Sequence, residues 1–147
     1  MGRTFRQVIA SRELSRTASD EPVLIEIGVP RRRKVGEWAC PYRIQGLGKR
    51  GTRYAFGIDS VQALQVVQQA IWADLQPYSQ QLAWLGQQGF TGFFRFYPAH
   101  VLGLDNASRV EAAIDREIHK EYLALKRRAE RRQAAGKRRP SQRRAAT

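Results

Sequence analysis

The stretch PVLIEIGV, residues 22–29, constrains the fold of this chain more than any other. Val23, Ile25, Ile27 and Val29 fall on one side of an extended backbone and Leu24, Glu26 and Gly28 on the other, the period of two that marks a half-buried strand. The period returns twice downstream, in Trp38, Cys40, Tyr42 and Ile44, and then in Tyr54, Phe56 and Ile58. Residues 4–14, TFRQVIASREL, supply a preceding strand, and RRRKVG and GLGKRGT supply basic turns. The pattern predicts an antiparallel β-meander of three to four strands with one apolar face, on which Trp38, Tyr42, Tyr54 and Phe56 are expected to be buried together. Pro41 has no N–H to give to a ladder, so its strand is expected at an edge or with a bulge at that point.

The period then changes. Asp59 or Ser60 caps a helix, with Gln62 three residues after Asp59 where a capping box wants Glu or Gln. Val61, Leu64, Val67, Ile71 and Leu75 recur at steps of three and four and predict one apolar stripe that covers the meander. Pro77 ends the regular part, SQQLAWLGQQ reads as a further turn of helix, and FTGFFRFYP as an aromatic strand or packed loop. Ser108 and Glu111 read as a second capping box, opening a helix with Val110, Ile114, Ile118, Tyr122 and Leu125 along one face. The fold class expected is α+β: the meander packed by one helix, then a C-terminal basic helix and a disordered tail. The division follows as 1–107 for the α+β domain with its aromatic segment, 108–135 for the basic helix and 136–147 for the tail, with Gly136 and Pro140 as helix breakers.

Chemistry of the common catalytic kinds finds little footing. No H-E-x-x-H, C-x-x-C, G-x-S-x-G or EF-hand pattern occurs, and GLGKRG has neither the spacing nor the strand-to-helix setting of a phosphate-binding loop. Cys40 is the one candidate nucleophile, but the period of two puts it beside Trp38 and Tyr42, and neither His100 nor His119 stands at a spacing that implies a partner. Asp59 and Ser60 are read as caps. One cysteine and two histidines are too few for the usual structural zinc site, so no metal, no cofactor and no enzymatic activity are expected. The first residues, MGRTFRQVIASREL, lack the apolar core of a signal peptide, and no run approaches about 18 apolar residues, so a cytoplasmic protein is expected.

Charge is the feature that selects a partner. Lys and Arg number 26 against 13 Asp and Glu, a formal net charge of +13, which favours polyanions. Residues 1–107 hold 13 basic and 8 acidic side chains, whereas 108–147 hold 13 and 5 in a third of the length. Within 126–147 ten basic residues face the single acid Glu130. Lys126, Arg127, Arg128, Arg131, Arg132, Arg138, Arg139, Arg143 and Arg144 are therefore the expected principal phosphate contacts, with Arg31, Arg32, Arg33 and Lys34 secondary. A continuous patch across the sheet would need Arg43, or the tail, to bridge the turn at Arg31–Lys34 to the one at Lys49, Arg50 and Arg53. The expected function is nucleic-acid binding with low sequence selectivity, DNA and RNA being indistinguishable on these residues. The alternative is a protein-interaction module, an adaptor or neutraliser of an acidic partner protein, docking through the 108–125 helix and its stripe of Val110, Ile114, Ile118, Tyr122 and Leu125.

The runs Ile27-Gly28-x-Pro30, Trp38-x-Cys40-Pro41-Tyr42-x-Ile44 and Gly57-x-Asp59-Ser60-x-Gln62-Ala63-Leu64 together resemble a family of small bacterial domains of unknown function. In that family strands precede a helix opening Asp-x-x-Gln-Ala-Leu. The resemblance spans roughly residues 5–76 and implies a bacterial origin and a meander-plus-helix fold; it implies no activity and no catalytic residue. By fold analogy alone the order of elements also resembles single-stranded nucleic-acid binders of the Whirly and PUR type. Such binders stack bases on exposed aromatics, for which Phe93, Phe94, Phe96 and Tyr97, with Arg95 among them, are less constrained candidates than the meander rings.

Overall fold

The computed structural model describes residues 7–48, 51–95 and 103–137. The chain divides into two compact units, residues 1–97 and 98–147. The first holds a seven-stranded antiparallel sheet, comprising β1 (Val8–Arg16), β2 (Ser19–Gly28), β3 (Arg31–Arg32), β4 (Trp38–Gln45), β5 (Arg53–Gly57), β6 (Leu82–Trp84) and β7 (Gln87–Gln88). Helix α1 (Ser60–Leu75) and a 3-10 turn (Gln76–Gln81) lie between β5 and β6, and helix α2 (Leu104–Lys137) forms the second unit. The class is α+β, and β1, β2, β4 and β5 are the expected meander.

β4 is an interior strand, because Tyr42 pairs with Ile27 of β2 on one side and with Arg53 of β5 on the other. The Pro41 expectation is therefore met by the bulge and not by the edge. Ile27 faces Tyr42 and Arg31 faces Ala39, so Gly28, Val29 and Pro30 stand opposite only Cys40 and Pro41, one residue too many for a regular ladder. The missing N–H of Pro41 falls where that ladder is already interrupted, while its pairing with Tyr54 of β5 is kept. At the same point Cys40 Sγ, fully buried, lies 3.5 Å from the Gly28 carbonyl it donates to.

α1 starts as its sequence dictates. Asp59 is the N-cap, with its Oδ1 accepting from the Gln62 N–H at 2.7 Å, and Gln62 Oε1 in return accepts from the Ile58 N–H at 2.8 Å. The buried residues of the helix are Ala63, Val67, Ile71 and Leu75, so the stripe is rotated from the one expected: Leu64 is only partly buried and Val61 is 62% exposed. The rotation has a steric cause at Gly57. A Cβ on that residue would stand 2.9 Å from Ala63 Cα and from the Gln62 carbonyl carbon, and nearer still to the Ala63 nitrogen. The first turn thus rests on bare backbone, with the small Ala63 facing the sheet.

The close approach also turns β5 over relative to expectation. α1 packs on β4 and β5, and Ala55, opposite Cys40, is the β5 residue beneath it. Tyr54 and Phe56 point to the other face and remain 40% and 45% exposed. Trp38 and Tyr42, by contrast, join the core with Leu14, Val23, Ile25, Ile44 and Leu82. Alternation sets which residues share a side, but not which side a helix will cover.

SQQLAWLGQQ is not helical throughout. After the 3-10 turn, Leu82–Trp84 and Gln87–Gln88 form a hairpin, with Ser15 paired to Ala83 and Arg16 to Leu82 on the β1 edge. Leu85 and Gly86 both have positive φ, 52° and 73°, the backbone of a type I′ turn, in which glycine at the second place offsets the strained leucine at the first. Residues 89–95 run on as a loop, with Phe93 packed against the core, Phe90 between Trp84 and Phe94, and Phe94 exposed. Phe96 and Tyr97 lie outside the described residues.

α2 begins four residues before the expected capping box. The Ala107 N–H donates to the Gly103 carbonyl at 2.9 Å, and Ser108 and Glu111 sit inside the helix. Gly136 is helical too, so the break expected there does not occur. With 34 residues, α2 is a rod of about 51 Å. The 138–147 part of the expected tail lies outside the described residues.

Candidate functional site

Three side-chain clusters tie the sheet together and determine which charges are free. On the helix-covered side, the Tyr42 hydroxyl donates to Asp74 Oδ2 at 2.9 Å and Arg53 pairs with Asp74 Oδ1, joining β4, β5 and α1. Burial first, and then the Asp74 carboxylate, push the Tyr42 phenol up to about 12. On the opposite side, Glu26 accepts from Arg43 Nε and from Gln45 Nε2, the latter at 2.8 Å. The hydrogen bond from Arg43 holds the Glu26 carboxyl below its ordinary value against the opposing effect of burial.

A pH dependence follows from Glu26. A carboxylate whose folded value is depressed contributes stability that is present above its unfolded value, about 4.3, and is lost as pH falls through the lower folded one. Urea midpoints should therefore drop between about pH 5 and pH 3 by less in Glu26→Gln than in the parent chain; equal drops would remove Glu26 from the acid response.

The third cluster forms around an arginine on the core side of the sheet. Arg12 of β1 shares the core-facing side with Leu14, and its guanidinium lies 4.0 Å from the Trp84 ring centroid and 4.5 Å from that of Phe93, with Nη1 donating to the Thr91 carbonyl at 3.3 Å. Desolvation lowers its value. This arginine fastens the 90–93 loop to the sheet through cation–π contacts. The signal was in the sequence, since Ala10, Arg12 and Leu14 alternate and a charge on that side needs a partner.

The sheet cations that a continuous basic patch would need are held in ion pairs. Arg43 is engaged by Glu26, Arg53 by Asp74 on the other face, and Lys49 and Arg50 lie outside the described residues. Of the secondary group, Arg31 pairs in register with Ala39 and so shares with Phe56 the face turned away from α1, whereas Arg32 pairs with Trp38 and belongs to the opposite face. Arg33 is bridged to Glu37, with its guanidinium 5.3 Å from the Phe56 centroid, and Lys34 stands exposed in the turn. Burial pushes the Cys40 thiol up to about 11, so at neutral pH it is a protonated core group.

On α2 the expected contacts fall into a regular arrangement. Arg127, Arg128, Arg131 and Arg132 repeat at i, i+1, i+4 and i+5 and occupy one side of the helix, all exposed, while Lys126, four residues before Glu130, falls on the side of that acid. Arg127 Nε donates to the Leu123 carbonyl at 3.2 Å, which lays its side chain along the helix. Glu130 falls on a different side of the helix from the four arginines. Arg138, Arg139, Arg143 and Arg144 lie outside the described residues. Val110, Ile114, Ile118, Tyr122 and Leu125 are exposed along the earlier part of the same helix.

Among the described residues no group of three or more His, Cys, Asp or Glu is placed to hold a metal ion, and no helix is long and apolar enough to cross a membrane. A family model described as a domain of unknown function, DUF6968, matches residues 10–95. The match runs through the hairpin and the aromatic loop and stops before α2. No curated protein and no solved structure matches the chain.

Proposed function

We propose, for a chain that belongs to the DUF6968 family of domains of unknown function, that it binds nucleic acid chiefly through phosphate contacts and with low sequence selectivity. The observation that carries this reading is the exposed face of Arg127, Arg128, Arg131 and Arg132 on α2, in a seven-residue stretch that with Lys126 holds five cations against the single acid Glu130. A solvated helix needs no such excess, and a row of guanidinium groups suits phosphate oxygens. Phosphate contacts position a protein without reading bases, hence the low selectivity. In this reading the protein works in the cytoplasm, and Arg138, Arg139, Arg143 and Arg144 add further phosphate contacts.

The exposed stripe of Val110, Ile114, Ile118, Tyr122 and Leu125 supports a second reading, a module that docks an acidic protein partner through the first half of α2. Fluorescence anisotropy of the full chain with labelled single- and double-stranded DNA and RNA across a salt series separates the two. Engagement of about 6 to 10 phosphates should lose roughly three to five decades of affinity between about 50 and 200 mM salt. Replacing Lys126, Arg127, Arg128, Arg131 and Arg132 by glutamine should lower the salt slope by about one for each contact removed. Weak binding to every nucleic acid at low salt would sink the first reading, and capture of an acidic protein that survives the glutamine substitutions would favour the second.

A further inference from the structure

We propose that the face of the sheet turned away from α1 at β4–β5 is a stacking platform for the unpaired bases of a single strand, an inference that rests on the nucleic-acid reading and narrows its substrate. Tyr54 and Phe56 lie on that face with Pro41 and Ala39 as their register partners on β4. Both rings are exposed although the neighbouring residue, Ala55, is in the core. Two large aromatics held on the water side of a sheet leave apolar area uncovered, and a flat π-surface is what a base stacks on.

The surroundings select the ligand. Arg31 follows Ala39 and Phe56 in one cross-strand row, and Arg33 stands against Phe56, so cations border the rings on one end. The Glu37 partner holds Arg33 in place over the Phe56 ring, and the outer face of its guanidinium is itself a flat surface on which a base can rest. Arg31 and Lys34 have no acidic partner among the described residues. An acidic backbone with flat rings complements both halves of this surface, whereas an ordinary apolar protein patch complements only one. Glu26, the carboxylate further along the face, is neutralised by Arg43 and does not repel a phosphate chain.

Spacing then distinguishes single strand from duplex. Residues i and i+2 of a strand are roughly 6.7 Å apart, about twice the rise of about 3.4 Å between stacked neighbours of a duplex. Adjacent bases can occupy Tyr54 and Phe56 together only if they have come apart from each other, as in an extended single strand. A duplex offers these rings no free base face and is left to the arginines of α2.

The test compares an oligo-dT with a duplex of matched length, using the full chain, the double variant Y54A/F56A and the aromatic exchange Y54W/F56W, with circular-dichroism melts to verify folding. In Y54A/F56A oligo-dT affinity should fall by about one to two decades with the salt slope unchanged, while duplex affinity stays within about twofold. Y54W/F56W should retain or raise oligo-dT affinity. Unchanged oligo-dT binding in Y54A/F56A, or equal losses on single strand and duplex, would overturn the platform. Loss of self-association by sedimentation with oligo-dT binding intact would assign the face to a second copy and overturn it as well. If the parent chain binds the duplex in a manner that depends on the α2 arginines and these outcomes still fail, the platform alone is wrong; if it binds neither probe, the nucleic-acid reading falls with it.

Discussion

Gly57→Ala should be the most damaging small substitution in the sheet domain, lowering stability by about 3 kcal/mol or more. The added methyl would meet only backbone, at 2.9 Å from both Ala63 Cα and the Gln62 carbonyl carbon and nearer still to the Ala63 nitrogen. Backbone cannot rotate away as a side chain can, so the first turn of α1 would have to lift from β5. That movement would strain the Asp59–Gln62 cap and loosen Val67 and Ile71, which follow Ala63 at steps of four. Urea denaturation followed by far-ultraviolet circular dichroism should show a lowered midpoint with the slope retained. A midpoint within experimental scatter of the parent would mean that α1 does not sit this close.

Ile71→Ala is the second large effect. Its side chain is completely buried between the helix and the sheet, and truncation there should lower stability by about 2–5 kcal/mol through lost transfer energy and the cavity left behind. The informative partner is Val61→Ala, a change on the same helix and on the stripe that the sequence predicts. Since Val61 is largely exposed, that change should stay within about 0.5 kcal/mol. The same denaturation curves serve both variants. Comparable losses at the two positions would restore the stripe read from the sequence and contradict the rotated one.

The contrast between these two valine and isoleucine positions explains how far the sequence could be read. Period-two alternation in PVLIEIGV and WACPYRI reports a side and its neighbours, and the meander, the Asp59 cap and the α+β class all follow from such local signals. The side on which a helix lands is a tertiary matter. It was settled by one glycine, Gly57, that admits the helix and one small residue, Ala55, that fits beneath it, and this is why Tyr54 and Phe56 emerged on the surface. The LAWLGQQ hairpin carries no legible turn signal, because its turn places Leu85 at positive φ, where the usual residue is Asn or Asp before glycine. The arginines of α2 were legible as charge, but their common face required a helix that starts at Leu104 and continues through Gly136. Arg43 and Arg53 were legible only as cations; that each is held by its own carboxylate depends on residues 17 and 21 positions away.

The Gly28 bulge and the thiol beneath it have a practical consequence for anyone working with the molecule. Cys40 is the chain's one sulfhydryl, it is shut inside the core, and with its value near 11 about one thiol in ten thousand is ionised at pH 7. To maleimides and spin labels the native protein is a blank. A cysteine placed at any exposed site, on the rim of β3 or along α2, becomes the sole handle for a dye or a crosslinker, and distances between the two units become measurable without first rebuilding the interior.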